Sequence, residues 1–393
     1  MPELVAIDLP GGRGFVDALQ AVWDTGDAAA PLDPRLPPPA ARALVEALRP
    51  TRMVGPDGAI TRMAGGVPVD DGDALVVATS GSTGQPRGVV LTHDAVAASA
   101  RATSARLGID PAVHGWLACL PLAHIGGLAV VTRAVVTGTP VTVLPRFDAD
   151  QVTAIGRARA GAGGTVTHVS LVATALRRID PALFDAVLLG GAAPPGDLPA
   201  NVVATYGMTE TGSGVVYDGV PLDGVGVAVA APGSAAPAPD GADGEVLLRG
   251  PMLLRAYRDG TDPTVPGPDG AGGWLPTGDG GRLDADGKLV VHGRLAEVVV
   301  TGGEKVWPVA VEQLLAGHPG VAEVAVWKRP DPDWGERVVA WVVPADPADP
   351  PVLPSLAELA AAALSPWAAP KELVLVDALP RTPSGKVRRA DLS

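Results

Sequence analysis

Cysteine and two of the three aromatic residue types are scarce in this chain: it has one Cys, three Phe and three Tyr in 393 residues. A single thiol, Cys119, excludes an internal disulfide framework, and its apolar run (WLACLPLAH, 116–124) predicts a buried small hydrophobe. With few rings beside eight tryptophans, the core must be mostly aliphatic. Basic charge is also in deficit. Lys and Arg number 30 against 43 Asp and Glu, a formal charge of −13, which argues against nucleic acid or an anionic membrane surface as the main partner. No run of about 18 apolar residues is present, so no membrane-spanning helix is expected. The N-terminus (MPELVAIDLPGG) lacks a basic region followed by an apolar one, so no export signal is expected and a cytoplasmic location fits. Small molecules are the expected partners, and a homo-oligomer is compatible with the sequence without being specified by it.

What is abundant is turn-forming residues, 50 Gly and 41 Pro, in a chain that is 47% hydrophobic, which describes a globular enzyme with many turns rather than a disordered chain. The length exceeds the roughly 250–300 residues at which single cores stop growing, so more than one domain is expected. Apolar periodicity predicts helices at 15–23 and 40–48, strands at 75–79 and 89–91, and a helix at 94–107. Strands at 116–120, 140–144, 165–168 and 185–189 then alternate with helices at 126–137, 149–160 and 170–178. This is α/β ordering with largely parallel strands. After residue 215, short alternating strands with Asp-Gly turns predict a β-rich subdomain, and 259–273, without periodicity, a surface loop. A smaller α+β unit follows, with the boundary at 293–296, giving domains of 1–293 and 294–393.

The strongest local signal is Thr79-Ser80-Gly81-Ser82-Thr83-Gly84-Gln85-Pro86-Arg87-Gly88, directly after a predicted strand. Glycines let backbone N–H groups approach phosphate oxygens, and hydroxyls add donors without bulk. It is not a Walker A loop, because no Gly-Lys-Ser/Thr follows and Arg87 stands where a capping lysine would be. Taken alone, a flexible Gly/Ser surface loop remains the alternative reading.

Further segments follow in order: Leu120-Pro121-Leu122-Ala123-His124, Gly190-Gly191-Ala192-Ala193, Tyr206-Gly207-Met208-Thr209-Glu210-Thr211, Trp274-Leu275-Pro276-Thr277-Gly278-Asp279, Gly293-Arg294 and Pro383-Ser384-Gly385-Lys386. Together with the phosphate loop they resemble the adenylate-forming superfamily of acyl-CoA synthetases, peptide-synthetase adenylation domains and luciferases. The resemblance covers residues 75–393. It implies the fold of these enzymes, a large α/β domain with a β-rich subdomain and a small mobile α+β domain. It also implies an ATP-dependent acid–thiol ligase that forms an acyl-adenylate, with Mg2+ and coenzyme A.

By that resemblance, Lys386 reaches the carboxylate and α-phosphate, Thr209 donates to the α-phosphate, and Glu210 ligates magnesium. Thr79, Ser80, Gly81, Ser82, Thr83, Gly84 and Arg87 surround the phosphates. Gly191, Ala192, Tyr206 and Gly207 flank adenine, and Asp279 and Arg294 face the ribose. His124 positions the acyl substrate beside Gly190, and Gly302 and Gly303 line the thiol path. Arg133, His168 and Ser170 are candidates to hold a second, unactivated carboxylate, and o-succinylbenzoate, a dicarboxylate of menaquinone synthesis, is the expected acid. Relatives place an acidic or lysine hinge after Gly-Arg, whereas Leu295-Ala296-Glu297 stand here. Other aryl or acyl carboxylates, a nucleotide-binding regulatory protein without turnover, and a P-loop kinase or ATPase stay open at this level.

Overall fold

A computed structural model describes residues 1–79, 86–162, 165–194, 196–231, 236–239, 241–381 and 387–392. The chain divides into two compact units. The first comprises Met1–Ala228, Leu247–Pro276 and Ala285–Leu289, and the second Val229–Val246, Thr277–Asp284 and Val290–Ser393. A four-stranded sheet has the order Gly226–Ala230, Gly244–Arg249, Leu275–Leu283 and Leu289–Arg294.

The first unit holds two seven-stranded sheets. In one, Leu4–Ile7 pairs in parallel with Ala28–Pro31 and Arg52–Val54, and Asp73–Thr79 pairs antiparallel with Arg87–Thr92. In the other, the neighbours Val141–Val143, Trp116–Ala118, His168–Val172, Ala186–Gly190 and Val202–Met208 are parallel throughout. Ser213–Tyr217 and Val220–Pro221 complete its antiparallel edge. Parallel strands buried on both faces read as nearly continuous apolar runs, as in Val187–Leu189. The C-terminal ends of this second set carry the Gly190 and Tyr206–Met208 segments, the end at which open parallel sheets bind ligands.

Two expectations are corrected. The segment expected as a strand at 165–168 and a helix at 170–178 is a strand at His168–Val172 followed by one short helix, Ala173–Leu176. Alternating β-branched and polar residues in HVSLV, paired on both sides, outweigh the weak helical period. The strands Leu4–Ile7 and Ala28–Pro31 were not expected at all. Ala28-Ala29-Ala30-Pro31 has no strand propensity, and its buried pairing on the sheet creates the strand. Cys119 is fully buried, and burial pushes its thiol up to about 12, which keeps it a protonated core group.

The second unit is built on a five-stranded sheet in which Val321–Asp331 and Gly335–Pro344 form a long hairpin and Glu372–Leu375 lies parallel to the latter. Helices Pro308–Leu315 and Leu353–Ala363 bury Val311, Leu315, Leu356 and Ala360. The core on that side also contains Val299, Val326, Val338 and Ala340.

Candidate active site

Thr79 and Arg87 close the ends of two antiparallel strands as a register pair. Ser80, Gly81, Ser82, Thr83 and Gly84, the expected phosphate donors, lie outside the described residues. The Arg87 guanidinium carbon sits 3.7 Å from the Tyr257 ring centroid, and Arg87 pairs with Asp259 at 3.2 Å. The Tyr257 hydroxyl donates to Glu210 Oε1 at 3.1 Å. Burial, reinforced by the Glu210 carboxylate, pushes that phenol up to about 12, so it stays a donor. Glu210 itself stands on the 3₁₀ turn Thr209–Thr211, entered directly from the strand Val202–Met208. Its carbonyl accepts from Leu254 N–H at 2.8 Å. Tyr206 is partly buried beside a register shift at Gly207, where a Cβ would lie 2.2 Å from the Ser213 carbonyl oxygen. Glycine is therefore required there. Gly190 ends its strand against Thr205 Oγ1, Gly191 has φ +86°, and Ala192 is exposed.

On the acyl side, His124 precedes the helix Ile125–Thr137 in extended conformation and is exposed. The Asp33 carboxyl is held below the usual range chiefly by its hydrogen bond to Arg35, with a smaller pull from His124. Trp116 and His168 are register partners, so their side chains share one sheet face, and Ser170, two residues on, shares it too. The His168 ring lies 5.2 Å from both Trp116 and His114. Thr167 Oγ1 meets His168 Nδ1 at 2.7 Å. Burial, followed by the neighbouring His114, pushes His168 down to about 4, leaving it neutral at pH 7.

Arg133 lies over the same face, its guanidinium carbon 4.7 Å from the Trp116 ring centroid. It is 2% exposed and its Nη2 donates to Ser213 Oγ at 3.2 Å, but among the described residues Nε and Nη1 are buried without a partner, as is Trp116 Nε1. Desolvation pushes the Arg133 pKa down. Two candidates from the sequence, Arg133 and His168, are thus brought together around a tryptophan that sequence reasoning missed, with Ser170 on the same sheet face. Trp116 was read only as part of the apolar run. Tyr257 was also missed, since nothing local marks it as the partner of Glu210.

In the second unit, Asp279 is 6% exposed and receives Arg294 Nε at 3.1 Å, while Arg294 Nη1 donates to the Thr277 carbonyl at 2.8 Å. The Asp279 N–H donates to Thr277 Oγ1, whose own proton goes to the Val246 carbonyl at 2.7 Å. Gly280 lies beneath Trp307, where a Cβ would fall 2.0 Å from the indole. Gly302 and Gly303, φ +60° and +86°, form the two-residue turn between Val299–Thr301 and Glu304–Val306, a conformation that favours glycine at both positions. Ala296 lies in the 3₁₀ turn Leu295–Glu297. Lys386 lies outside the described residues. Among the described residues no cluster of three His, Cys, Asp or Glu is placed to cage a metal. A single carboxylate, Glu210, suits Mg2+ brought in on phosphates, because that ion keeps mostly phosphate and water oxygens.

A Tyr-Gly-Met-Thr-Glu turn thus ends a parallel strand of the first unit, and a Thr-Gly-Asp segment lies in the second. The chain belongs to the AMP-binding enzyme family: residues 63–258 match the family's "AMP-binding enzyme" region and residues 310–386 its C-terminal domain. It is 40% identical over 344 residues, 83% of this chain and 85% of the other, to a Mycobacterium tuberculosis protein named "Probable 2-succinylbenzoate--CoA ligase". It is 32% identical over 345 residues, 81% of this chain and 69% of the other, to the 2-succinylbenzoate–CoA ligase of Bacillus cereus. The fold is similar to that of the o-succinylbenzoate CoA synthetase of Bacillus subtilis in complex with its acyl-adenylate intermediate, with a TM-score of 0.83 and 27% identity. That match covers 99% of this chain and 88% of that one. The Bacillus subtilis enzyme has also been solved with ATP and a magnesium ion. Among the described residues, no helix is long and apolar enough to cross a membrane.

Proposed function

We propose that this chain is an ATP-dependent acid–CoA ligase acting on 2-succinylbenzoate, the step that activates this acid for menaquinone synthesis. The substrate carboxylate attacks the α-phosphorus of ATP to give the acyl-adenylate and pyrophosphate, and the thiol of coenzyme A then displaces AMP. Membership of the family and relatives bearing this name support the reading.

The observation that carries the choice of acid is Arg133. A guanidinium 2% exposed with two donor nitrogens unpartnered among the described residues bears an uncompensated desolvation cost that a bound anion would offset. 2-Succinylbenzoate has two carboxylates, and the one that is not activated supplies that anion. His168, held neutral, adds no second charge, and Ser170 offers a hydroxyl from the same face. Thr209 donates to the α-phosphate, Tyr206, Gly191 and Ala192 hold adenine, and Asp279 with Arg294 takes the ribose. Glu210 would hold Mg2+, which when bound would supply charge neutralisation for the triphosphate. Lys386 stabilises the charge that builds between carboxylate and α-phosphate. His124 orients the acyl group, and the Gly302-Gly303 turn lines the path of the thiol. The domain carrying Lys386, residues 294–393, turns between the two half-reactions.

A panel of acids tests the reading. Pyrophosphate release should be fastest by at least about tenfold in kcat/KM with 2-succinylbenzoate over benzoate, medium-chain fatty acids and amino acids. Equal rates across the panel would remove the acid assignment, and phosphate in place of pyrophosphate would remove the ligase itself.

A further inference from the structure

Glu210 leaves its strand on a turn of only three residues, Thr209–Thr211, so no long helix supports its side chain. The backbone of that turn is set from two sides. Thr211, fully buried, receives the Met208 N–H at 2.9 Å and donates to the Ser213 carbonyl at 2.6 Å, and the Leu254 N–H donates to the Glu210 carbonyl at 2.8 Å. The carboxylate is set from a distant segment. Tyr257, 47 positions on, donates its hydroxyl to Oε1 at 3.1 Å.

Tyr257 is itself fixed at backbone and ring. It pairs with Val89 on the strand Arg87–Thr92, its N–H donates to the Thr261 carbonyl at 2.8 Å, and its carbonyl accepts the Gly260 N–H at 2.9 Å. Arg87 lies 3.7 Å from the ring centroid and pairs with Asp259, whose carboxylate also accepts the Thr261 N–H at 2.9 Å. The next residue, Arg258, anchors the segment by donating to the carbonyls of Leu48 and Pro68, each at 3.0 Å. A carboxylate free to rotate offers a cation a moving ligand, whereas one oxygen taken by a fixed donor presents the other in one place. A hydroxyl suits this task. It donates without carrying charge, so it does not repel a cation as a lysine or arginine in its position would.

We propose that Tyr257 is a positioning residue for the metal ligand: it fixes Glu210 in the orientation that takes Mg2+ with the triphosphate, and Arg87 steadies its ring through a cation–π contact. The inference rests on the reading above, in which Glu210 holds Mg2+, and adds the residue on which that grip depends. Tyr257 acts on the nucleotide only through Glu210, so its effect exists only when the metal is present.

Calorimetric titration of ATP with no acid present, in Mn2+ and in EDTA, compares the parent with Tyr257→Phe. Phenylalanine keeps the ring beside Arg87 and the pairing with Val89, and removes the oxygen alone. In Mn2+ the variant should bind ATP about tenfold more weakly, and in EDTA it should match the parent. The Mg2+ concentration for half-maximal pyrophosphate release should also rise about tenfold. In a Glu210→Gln background, where the carboxylate is gone, Tyr257→Phe should change ATP binding in Mn2+ by less than about twofold. Equal weakening in Mn2+ and EDTA would make Tyr257 a structural brace and overturn the proposal. Parental binding in both would overturn it too, as would a full tenfold effect without the Glu210 carboxylate. A parent whose ATP affinity is the same in Mn2+ and EDTA would overturn the reading of Glu210 as the metal ligand, and the positioning role with it.

Discussion

Replacing Arg133 with methionine should move activity and stability in opposite directions. Methionine approximates the length of the arginine stem and suits the helix Ile125–Thr137. In the free protein it removes a buried cation that donates to Ser213 and whose Nε and Nη1 have no partner among the described residues. Substitutions of that kind are often neutral or stabilising, because the desolvation cost disappears with the charge. The unfolding midpoint should therefore hold or rise. Catalysis should suffer instead. Two charge-assisted hydrogen bonds to the second carboxylate are worth about 1.5–3 kcal/mol each. Losing them should lower kcat/KM for 2-succinylbenzoate by about two to four powers of ten. An aryl monocarboxylate, which never met Arg133, should lose less than about threefold. Steady-state pyrophosphate release with both acids, alongside thermal unfolding of both proteins, measures each term. Equal loss with the two acids would refute the recognition role. A large drop in the unfolding midpoint would refute the claim that the guanidinium is uncompensated in the free protein.

Three further outcomes follow from other parts of the site. His168 is held at about 4 against about 6.5 for an ordinary imidazole, so between these values the unfolded chain takes up a proton that the native state refuses. Stability should therefore fall by up to about 3 kcal/mol as pH drops through that window, and His168→Gln should flatten the fall in urea midpoints; an equally steep variant would contradict it. Gly280→Ala drives a Cβ into Trp307 and should cost about 1–3 kcal/mol and weaken ATP binding beside Asp279, with relief in a Trp307→Ala background; the same cost in both backgrounds would remove Trp307 as the cause. Lys386→Ala should slow adenylation about a hundredfold or more and spare thioester formation from supplied acyl-adenylate, and equal loss of both half-reactions would contradict that division of labour.

The parts of this site that were legible in the sequence are those whose chemistry is local. A glycine and hydroxyl run after a strand, a Thr-Glu pair at a strand end and a Thr-Gly-Asp turn each announce themselves within a few residues. Arg133 was legible as a candidate, but its isolation was not, because burial among Trp116, Ser213 and Tyr217 joins residues up to 101 positions apart. The Tyr257 hydroxyl on Glu210 likewise joins residues distant in sequence. The first two strands were illegible for a different reason. Ala28-Ala29-Ala30 has neither branching nor alternation, and only its parallel neighbours make it a strand. The segment around His168 was misjudged because a short apolar run supports either period.

The central claim, that this chain activates the acid as its adenylate before passing it to coenzyme A, is tested most directly by isotope transfer. With 2-succinylbenzoate labelled with heavy oxygen in both carboxylates, one turnover with ATP and coenzyme A should leave one heavy oxygen in AMP and none in pyrophosphate. Unlabelled AMP, or label in inorganic phosphate, would contradict the account.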